Sequence, residues 1–212
     1  MVIDMDKNVG LPSLRFKGFN EAWEQCKLET LFEKGGSGGT PLSTNEKYYN
    51  GEIPFLSISD ISKSNGFIYE TEKSITDEGL NNSAAWIVPK ESISLAMYAS
   101  VGKVAILKEN VATSQAFYNM VFSDLSVRNI IFQRFKMMEL NEEWNKMIST
   151  GTQANLNAKK VKELLFIIPN DRDEQNRIGD LFGNIDNLIT LHQRKHKKLT
   201  NIKKALLQKM FV

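Results

Sequence analysis

The sequence is short of the residues that most often carry chemistry. Its 212 residues include one cysteine, Cys26, and two histidines, His192 and His196. A single cysteine excludes an internal disulfide, and no motif surrounds it, so Cys26 reads as structural. The histidines stand four apart in His-Gln-Arg-Lys-His, the spacing of a zinc-protease helix without its glutamate, among positive charges that would repel a metal. Neither lies beside a strand-end serine, so a Ser-His-Asp triad has no support, and no paired-carboxylate site stands out. The expectation is a chain that is not an enzyme and holds no metal or cofactor of its own. Long apolar runs are missing too, so no membrane span is expected. Asp4, Asp6 and Lys7 have no apolar run behind them, so no secretory signal is expected, and the cytoplasm is the expected location. Acidic side chains are absent after Asp186, while Arg194, Lys195, Lys197, Lys198, Lys203, Lys204 and Lys209 follow, on a chain of net charge only +2. Such a run is commonly a solvated helix face; the sharper reading is a surface for phosphates or an acidic partner.

What is present supports a folded core: 42% hydrophobic and 25% charged residues need no disulfide or metal staple. Residues 1–10 read as a loose tail. Residues 20–32 suit a short helix or strand around Trp23, Leu28, Leu31 and Phe32. Gly35, Gly36, Gly38, Gly39 and Pro41 then break regular structure. A phosphate-loop reading fails there, because the Gly-Lys-Ser/Thr ending is missing; a flexible loop able to approach a DNA backbone is expected. Residues 53–61 alternate like a half-buried strand, whose start Pro54 pushes to an edge or bulge. Residues 92–98, 103–107 and 117–122 are further strands, with Ser100-Val101-Gly102 as a turn. Residues 127–140 place Ile130, Ile131, Phe135 and Met138 at helical spacing, with a second helical piece over 142–148. A polar loop over 151–157 leads to a strand at 164–168, ended by Pro169.

The clearest periodicity lies in residues 173–210. Heptad a positions fall on Ile178, Ile185, His192, Leu199 and Leu206, and d positions on Leu181, Leu188, Lys195, Ile202 and Lys209. Such a helix would be roughly 57 Å long, more than a domain of this size can cover. Its overhanging apolar stripe needs a partner helix, and the polar layer at His192 and Lys195 would set the register. Gly179 and Gly183 cost helix propensity but allow close approach of a neighbouring backbone. The fold class expected is therefore α+β: a β-rich globular domain over 1–170, then one long coiled-coil helix over 171–212.

These blocks, in this order, resemble a known family. Leu11 to Phe19, with Trp23 and Leu28, open it. Gly38-Gly39-Thr40-Pro41 follows, then Tyr49-Asn50-Gly51 with Ile53-Pro54-Phe55-Leu56 and Ser59-Asp60-Ile61. Ile75-Thr76, Gly79-Leu80, Ala99-Ser100-Val101-Gly102 and Thr113-Ser114-Gln115-Ala116-Phe117 continue it. Thr150-Gly151-Thr152-Gln153 with Leu156, Pro169 with Glu174-Gln175, and Leu207 to Phe211 complete it. The set is similar to a specificity subunit of a type I restriction-modification system, with Phe55 where tryptophan is usual and Ser114 where asparagine is. The resemblance implies a target recognition domain that reads half of a split site in double-stranded DNA. It implies a spacer helix that packs antiparallel against another such helix. Adenine methylation and cleavage would belong to separate modification and restriction subunits, with S-adenosylmethionine on the modification subunit. Consistent with that, the methyltransferase motif Asn/Asp-Pro-Pro-Tyr/Phe does not occur, the nearest run being Ile168-Pro169-Asn170-Asp171.

The usual family member carries two recognition domains and two helices, whereas this chain has one of each. A half-subunit that pairs with a second copy of itself is therefore expected, reading a site whose halves are inverted copies. Its pairing residues would be Ile178, Leu181, Ile185, Leu188, His192, Lys195, Leu199, Ile202 and Leu206. Chemistry nominates the DNA contacts: Lys34 and Ser37 in the glycine stretch, Lys63, Ser64, Asn65 and Lys73, then Tyr98, Ser100 and Lys103 around the turn, and Thr152, Gln153 and Asn155 in the polar loop. Gln115 and Asp60, in recurring blocks, read as scaffold. The alternative is a coiled-coil protein-interaction adaptor with no DNA sequence specificity.

Overall fold

The computed structural model describes residues 11–148 and 155–211. Among the described residues eleven strands follow in order: β1 (Glu24–Lys27), β2 (Lys34–Ser37), β3 (Tyr49–Leu56), β4 (Phe67–Ile68), β5 (Lys73–Ile75), β6 (Ile87–Val88), β7 (Ile93–Ala96), β8 (Val104–Leu107), β9 (Val111–Thr113), β10 (Phe117–Val121) and β11 (Leu165–Ile168). Five α-helices accompany them: α1 (Ile58–Lys63), α2 (Asp77–Asn81), α3 (Leu125–Leu140), α4 (Ala158–Lys162) and α5 (Arg172–Met210). The strands form a five-stranded sheet in the order β2-β10-β7-β8-β4, a four-stranded sheet β5-β3-β9-β6, and the pair β1-β11. Both larger sheets are mixed, with β4 parallel to β8 and β3 parallel to β9. The fold is α+β, a β-rich domain followed by one long helix.

Period-two alternation explains the core. Ile93, Leu95, Val104, Ile106 and Met120 point from the five-stranded sheet to one face, where α3 closes over them with Ile131, Phe132 and Phe135. Ala96, Ala105, Leu107 and Phe117 point to the other face and meet Leu56, Ile61 and Val111. These strands are apolar on both faces because both are covered. Ser94 in β7 is a fully buried polar exception, and so is Asn119 in β10. The Asn119 side chain accepts from the Ser94 hydroxyl at 2.6 Å and donates to the Thr113 hydroxyl at 2.8 Å and the Gly36 carbonyl at 3.1 Å, so no donor is stranded.

Three expectations are corrected. The glycine stretch is not wholly a loop: Lys34–Ser37 is an edge strand pairing with β10. Glycine is needed there for close approach, since a Cβ at Gly35 would stand 2.5 Å from the Tyr118 hydroxyl. The strand expected over 53–61 ends at Leu56, and α1 follows. Ser57 caps α1: its hydroxyl accepts from the Asp60 amide while the Asp60 carboxylate accepts from the Ser57 amide, a reciprocal box that outcompetes further extension. Gly183 has no close neighbour; only Gly179 fits its expected role, with a Cβ placed 3.2 Å from that of Asn129 in α3. Pro54 lies beyond the part of β3 that pairs with β9, whose register covers only Phe55 and Leu56, and next to a register shift between Tyr49 and Ile53.

The start of α5 is strapped to the N-terminal segment. The Glu174 carboxylate, fully buried, accepts from Arg15 Nε at 2.6 Å, Arg15 Nη2 at 2.7 Å and Trp23 Nε1 at 3.3 Å. Gln175 donates to the Pro169 carbonyl at 2.6 Å. Asp171 caps the helix by accepting from the Asp173 and Glu174 amides.

Candidate nucleic-acid interface

Among the described non-glycine residues at positive φ, two are consecutive and belong to one turn. Ala99 and Ser100, between β7 and β8, have φ of 37° and 55°, and Gly102 follows at 85°. Two consecutive non-glycine residues at positive φ are uncommon and cluster at ligand sites. Aromatic packing holds the turn in place, because Gly102 lies so close to the Trp144 ring that a Cβ would stand 2.4 Å from it. Lys103 ties it to α3 by donating to Glu139 at 2.6 Å. Burial raises the pKa of Glu139, but hydrogen bonds from Lys103 and Lys136 outweigh that and hold it below the ordinary value.

This turn gathers several of the nominated residues. Tyr98 and Ser100 are exposed, the Ser100 hydroxyl shares a hydrogen bond with that of Ser62 at 2.8 Å, and Tyr98 forms an antiparallel bridge with Asn155. Thr152 and Gln153, from the same polar loop as Asn155, lie outside the described residues, as do residues 1–10. A tyrosine, hydroxyls and an amide at one exposed edge are the groups that read base edges and phosphates. Other nominees have local work. Ser64 donates to the Ile61 carbonyl and accepts from the Gly66 amide, which closes α1. The amide of Asn65 donates to Gln193 of α5. Lys63 is ion-paired with Glu72 at 2.5 Å. Lys34 lies 4.2 Å from the centroid of the Trp86 ring, and the carbonyl of Ser37 accepts from Trp86 Nε1. Lys73 is exposed on the edge strand β5. The scaffold reading of Asp60 fits its capping role, and Gln115 accepts from Thr40 at 2.8 Å, joining the Gly-Gly-Thr-Pro and Thr-Ser-Gln blocks.

Helix α5 has two faces. Toward the domain it turns Gly179, Gly183, Asp186, Thr190, Gln193 and Lys197 at heptad b and f positions, with Asn187 and Arg194 at c beside them. Along that face Asp186 accepts from Gln133 at 2.5 Å, and the neighbouring Arg194 guanidinium stands 5.1 Å from the Tyr69 ring centroid. Burial holds the Asp186 carboxyl above its ordinary pKa, against the opposing Gln133 hydrogen bond. The opposite side carries Leu181, Ile185, Leu188, Leu199, Ile202 and Leu206, all exposed, with His192 and Lys195 between them. Ile178 differs from the rest of that set, being partly buried against the domain core. Residues 198–211 are exposed on every side and extend past the domain. Sequence periodicity located the apolar stripe; the b/f docking face, small and polar, had no such signal.

Among the described residues no group of three or more His, Cys, Asp or Glu side chains is placed to hold a metal ion, and no helix is long and apolar enough to cross a membrane.

Comparison with known proteins converges on one family. Residues 20–201 match the family model of the type I restriction modification DNA specificity domain. The chain is 27% identical over 191 residues to the type I restriction enzyme MjaIX specificity subunit of Methanocaldococcus jannaschii, covering 90% of this chain and 44% of that protein. It is 24% identical over 193 residues to the HindI specificity subunit of Haemophilus influenzae, covering 89% and 40%. Among solved structures, the type I restriction-modification S subunit of M. genitalium superposes with a TM-score of 0.60 at 19% identity, over 93% of this chain and 50% of that one. The HsdS subunit of Thermoanaerobacter tengcongensis gives 0.59 at 16%, over 92% and 46%. The chain thus spans less than half the length of the curated relatives it matches. The matched residues 20–201 take in the β-rich domain, the strained exposed turn and most of the long two-faced helix, and the chain belongs to the type I restriction modification DNA specificity domain family.

Proposed function

We propose that this chain acts as a non-catalytic DNA-specificity unit with one recognition domain and one spacer helix. Two copies join through α5 and read the two inverted halves of a bipartite site in double-stranded DNA. The turn at Tyr98–Gly102, with Asn155 beside it, is the reading edge, and the exposed basic end of α5 faces phosphates or the modification subunits. Methyl transfer, with its S-adenosylmethionine, belongs to those separate modification subunits, and cleavage to a restriction subunit.

The observation that carries this reading is the division of α5. A helix that only braced its own domain would bury its apolar face there. This one presents b and f positions to its domain and leaves six large aliphatic side chains bare on the other side. Family membership supports DNA as the ligand.

Titration of labelled duplex with the chain bound to its cognate modification subunit tests it. A steep fall of affinity with salt is expected, because several phosphates would be neutralised. Salt-insensitive association, or none, would support the adaptor reading instead.

A further inference from the structure

The turn between β7 and β8 rests on a buried donor that has no acceptor. Trp144 is 3% exposed, and among the described residues nothing accepts a hydrogen bond from its Nε1. A buried donor left unpaired is costly and rare, so its presence calls for a reason. The pyrrole edge of the indole, which carries that N–H, lies against Gly102. A Cβ there would stand 2.4 Å from Trp144 Cδ1, 2.7 Å from Cγ and 2.9 Å from Nε1. The unpaired donor and the strained turn therefore occupy one place.

Resting on the reading of this turn as the DNA-facing edge, we infer that Trp144 is a positioning residue for sequence recognition. Its indole N–H serves a main-chain carbonyl of residues 99–101, which accepts it when the turn closes on its own base sequence. Three observations lead there. The first is that the ring is fixed. Trp144 packs on Phe135 with centroids 5.5 Å apart, and Phe135 on Phe166 at 5.7 Å, both phenylalanines being buried. Close packing of this kind holds a side chain in one rotamer, so the turn is the part that adjusts.

The second is that the turn is pinned at its ends and open between them. Before it, the Met97 carbonyl accepts from the Leu156 amide at 3.0 Å, and Tyr98 bridges to Asn155. After it, the Gly102 amide donates to the Ala96 carbonyl at 3.0 Å, and Lys103 donates to Glu139 at 2.6 Å. Between these pins the Ser100 carbonyl accepts from the Lys103 amide at 3.1 Å. Among the described residues no N–H donates to the carbonyls of Ala99 or Val101. Two acceptors thus stand within three residues of Gly102, next to the unpaired donor.

The third is backbone conformation. Ala99 and Ser100 lie at φ of 37° and 55°, a region that non-glycine residues occupy at a cost. Flipping one peptide unit reverses a carbonyl and changes the φ that follows it, while the flanking chain keeps its path; turn types I and II differ in this way. Such a flip relieves strain at the turn and offers the indole its acceptor. DNA that contacts the flipped turn better than the unflipped one then shifts the population toward it.

Indole N–H resonances of the chain, labelled with 15N-tryptophan and bound to its modification subunit, test this. The probes are a duplex carrying the motif methylated in the host and a duplex with that motif scrambled. Trp23 already donates to Glu174 and Trp86 to the Ser37 carbonyl, so their signals serve as references. The Trp144 proton is expected to move downfield on the motif duplex and to stay in place on the scrambled one. A Trp144 signal that does not move on the motif duplex, as when a buried water already accepts from it, would overturn the proposal. Trp144→Phe keeps a ring against Gly102 and Phe135 but removes the donor. The ratio of motif to scrambled affinity is expected to fall about tenfold, as one hydrogen bond of the bound state is lost. A merely structural loss lowers both affinities together, so an unchanged ratio would also overturn the proposal. Should Trp144→Phe not fold, Trp23→Phe and Trp86→Phe assign the Trp144 signal by elimination, and its shift decides. Equal affinity of the wild-type complex for the two duplexes would instead sink the DNA reading of the turn, and this inference with it.

Discussion

Gly38 stands where a side chain has no room. A Cβ there would lie 1.8 Å from the Thr113 carbonyl oxygen, in the same turn where the Gly39 amide donates to that oxygen. Gly38→Ala must push β9 from the turn and is expected to cost about 1–3 kcal/mol, read as a lower urea midpoint; an unchanged midpoint would contradict the packing described. Glu91 is a second sensitive residue. Burial pushes its carboxyl up, but hydrogen bonds from Arg128 and Lys108 outweigh this and leave its pKa lowered. A lowered folded pKa stabilises fully above the unfolded value, and that contribution is lost as pH falls through the folded one. Acid should therefore destabilise the chain below the ordinary glutamate range. Glu91→Gln should flatten that slope and cost about 1–3 kcal/mol at neutral pH, because Arg128 is buried and keeps its charge. Equal slopes in the two proteins would show that Glu91 is not the titrating group. At the turn, Tyr98→Ala with Ser100→Ala should weaken specific DNA binding about tenfold while leaving non-specific binding and its salt slope nearly unchanged. A loss shared equally by specific and random duplex would place base reading elsewhere. Single residues were unevenly legible in sequence. Tyr98, Ser100 and Asn155 stand out as polar groups near a turn signal. The buried partnership of Glu174 with Arg15 does not, because 159 residues separate them and no periodicity links them.

At the scale of elements, the long helix and the central strands were legible for one reason: each repeats a period over enough residues to average out exceptions. α5 does so across 39 residues, and β7, β8 and β10 are buried runs bounded by turns. The short elements were not. β2 is built from Lys-Gly-Gly-Ser, and its pairing follows from space over Tyr118 and the bond from Asn119 to the Gly36 carbonyl, which are long-range facts. The start of α1 did carry a local signal, Ser57 three residues before Asp60, masked by the apolar alternation around it. The docking of α5 on α3 is tunable at Asp186. Its raised pKa means that ionisation opposes docking, so the helix should dock more firmly as pH falls through the folded value. Asp186→Asn keeps an acceptor for Gln133 and removes the charge. It should raise the unfolding midpoint at neutral pH and lose that advantage once the wild-type carboxyl is protonated. A midpoint lowered at neutral pH would mean that the carboxylate is needed there as a charge.

For the whole molecule, the question is what covers the long helix that leaves the recognition domain; the chain spans less than half the length of the curated relatives it matches. The sequence pattern makes the helix a rod with an apolar stripe; the structure adds that the stripe points away from the domain, and that a groove lies open at the rod's base. In the pair proposed above, the helix of a second copy covers that stripe. Replacing His192 and Lys195 together by leucine should tighten the pair and broaden the spacing it accepts, read as cleavage or methylation at sites of altered gap length; an unchanged gap would deny those residues a role in register. The most direct test of the central claim is single-molecule methylome sequencing of a host in which this chain is the only specificity subunit beside its modification subunit. Two identical readers joined by a two-fold helix pair predict a bipartite methylated motif whose half-sequences are inverted copies around a fixed non-specific gap. A motif with two unrelated halves, assigned to this chain alone, would contradict it.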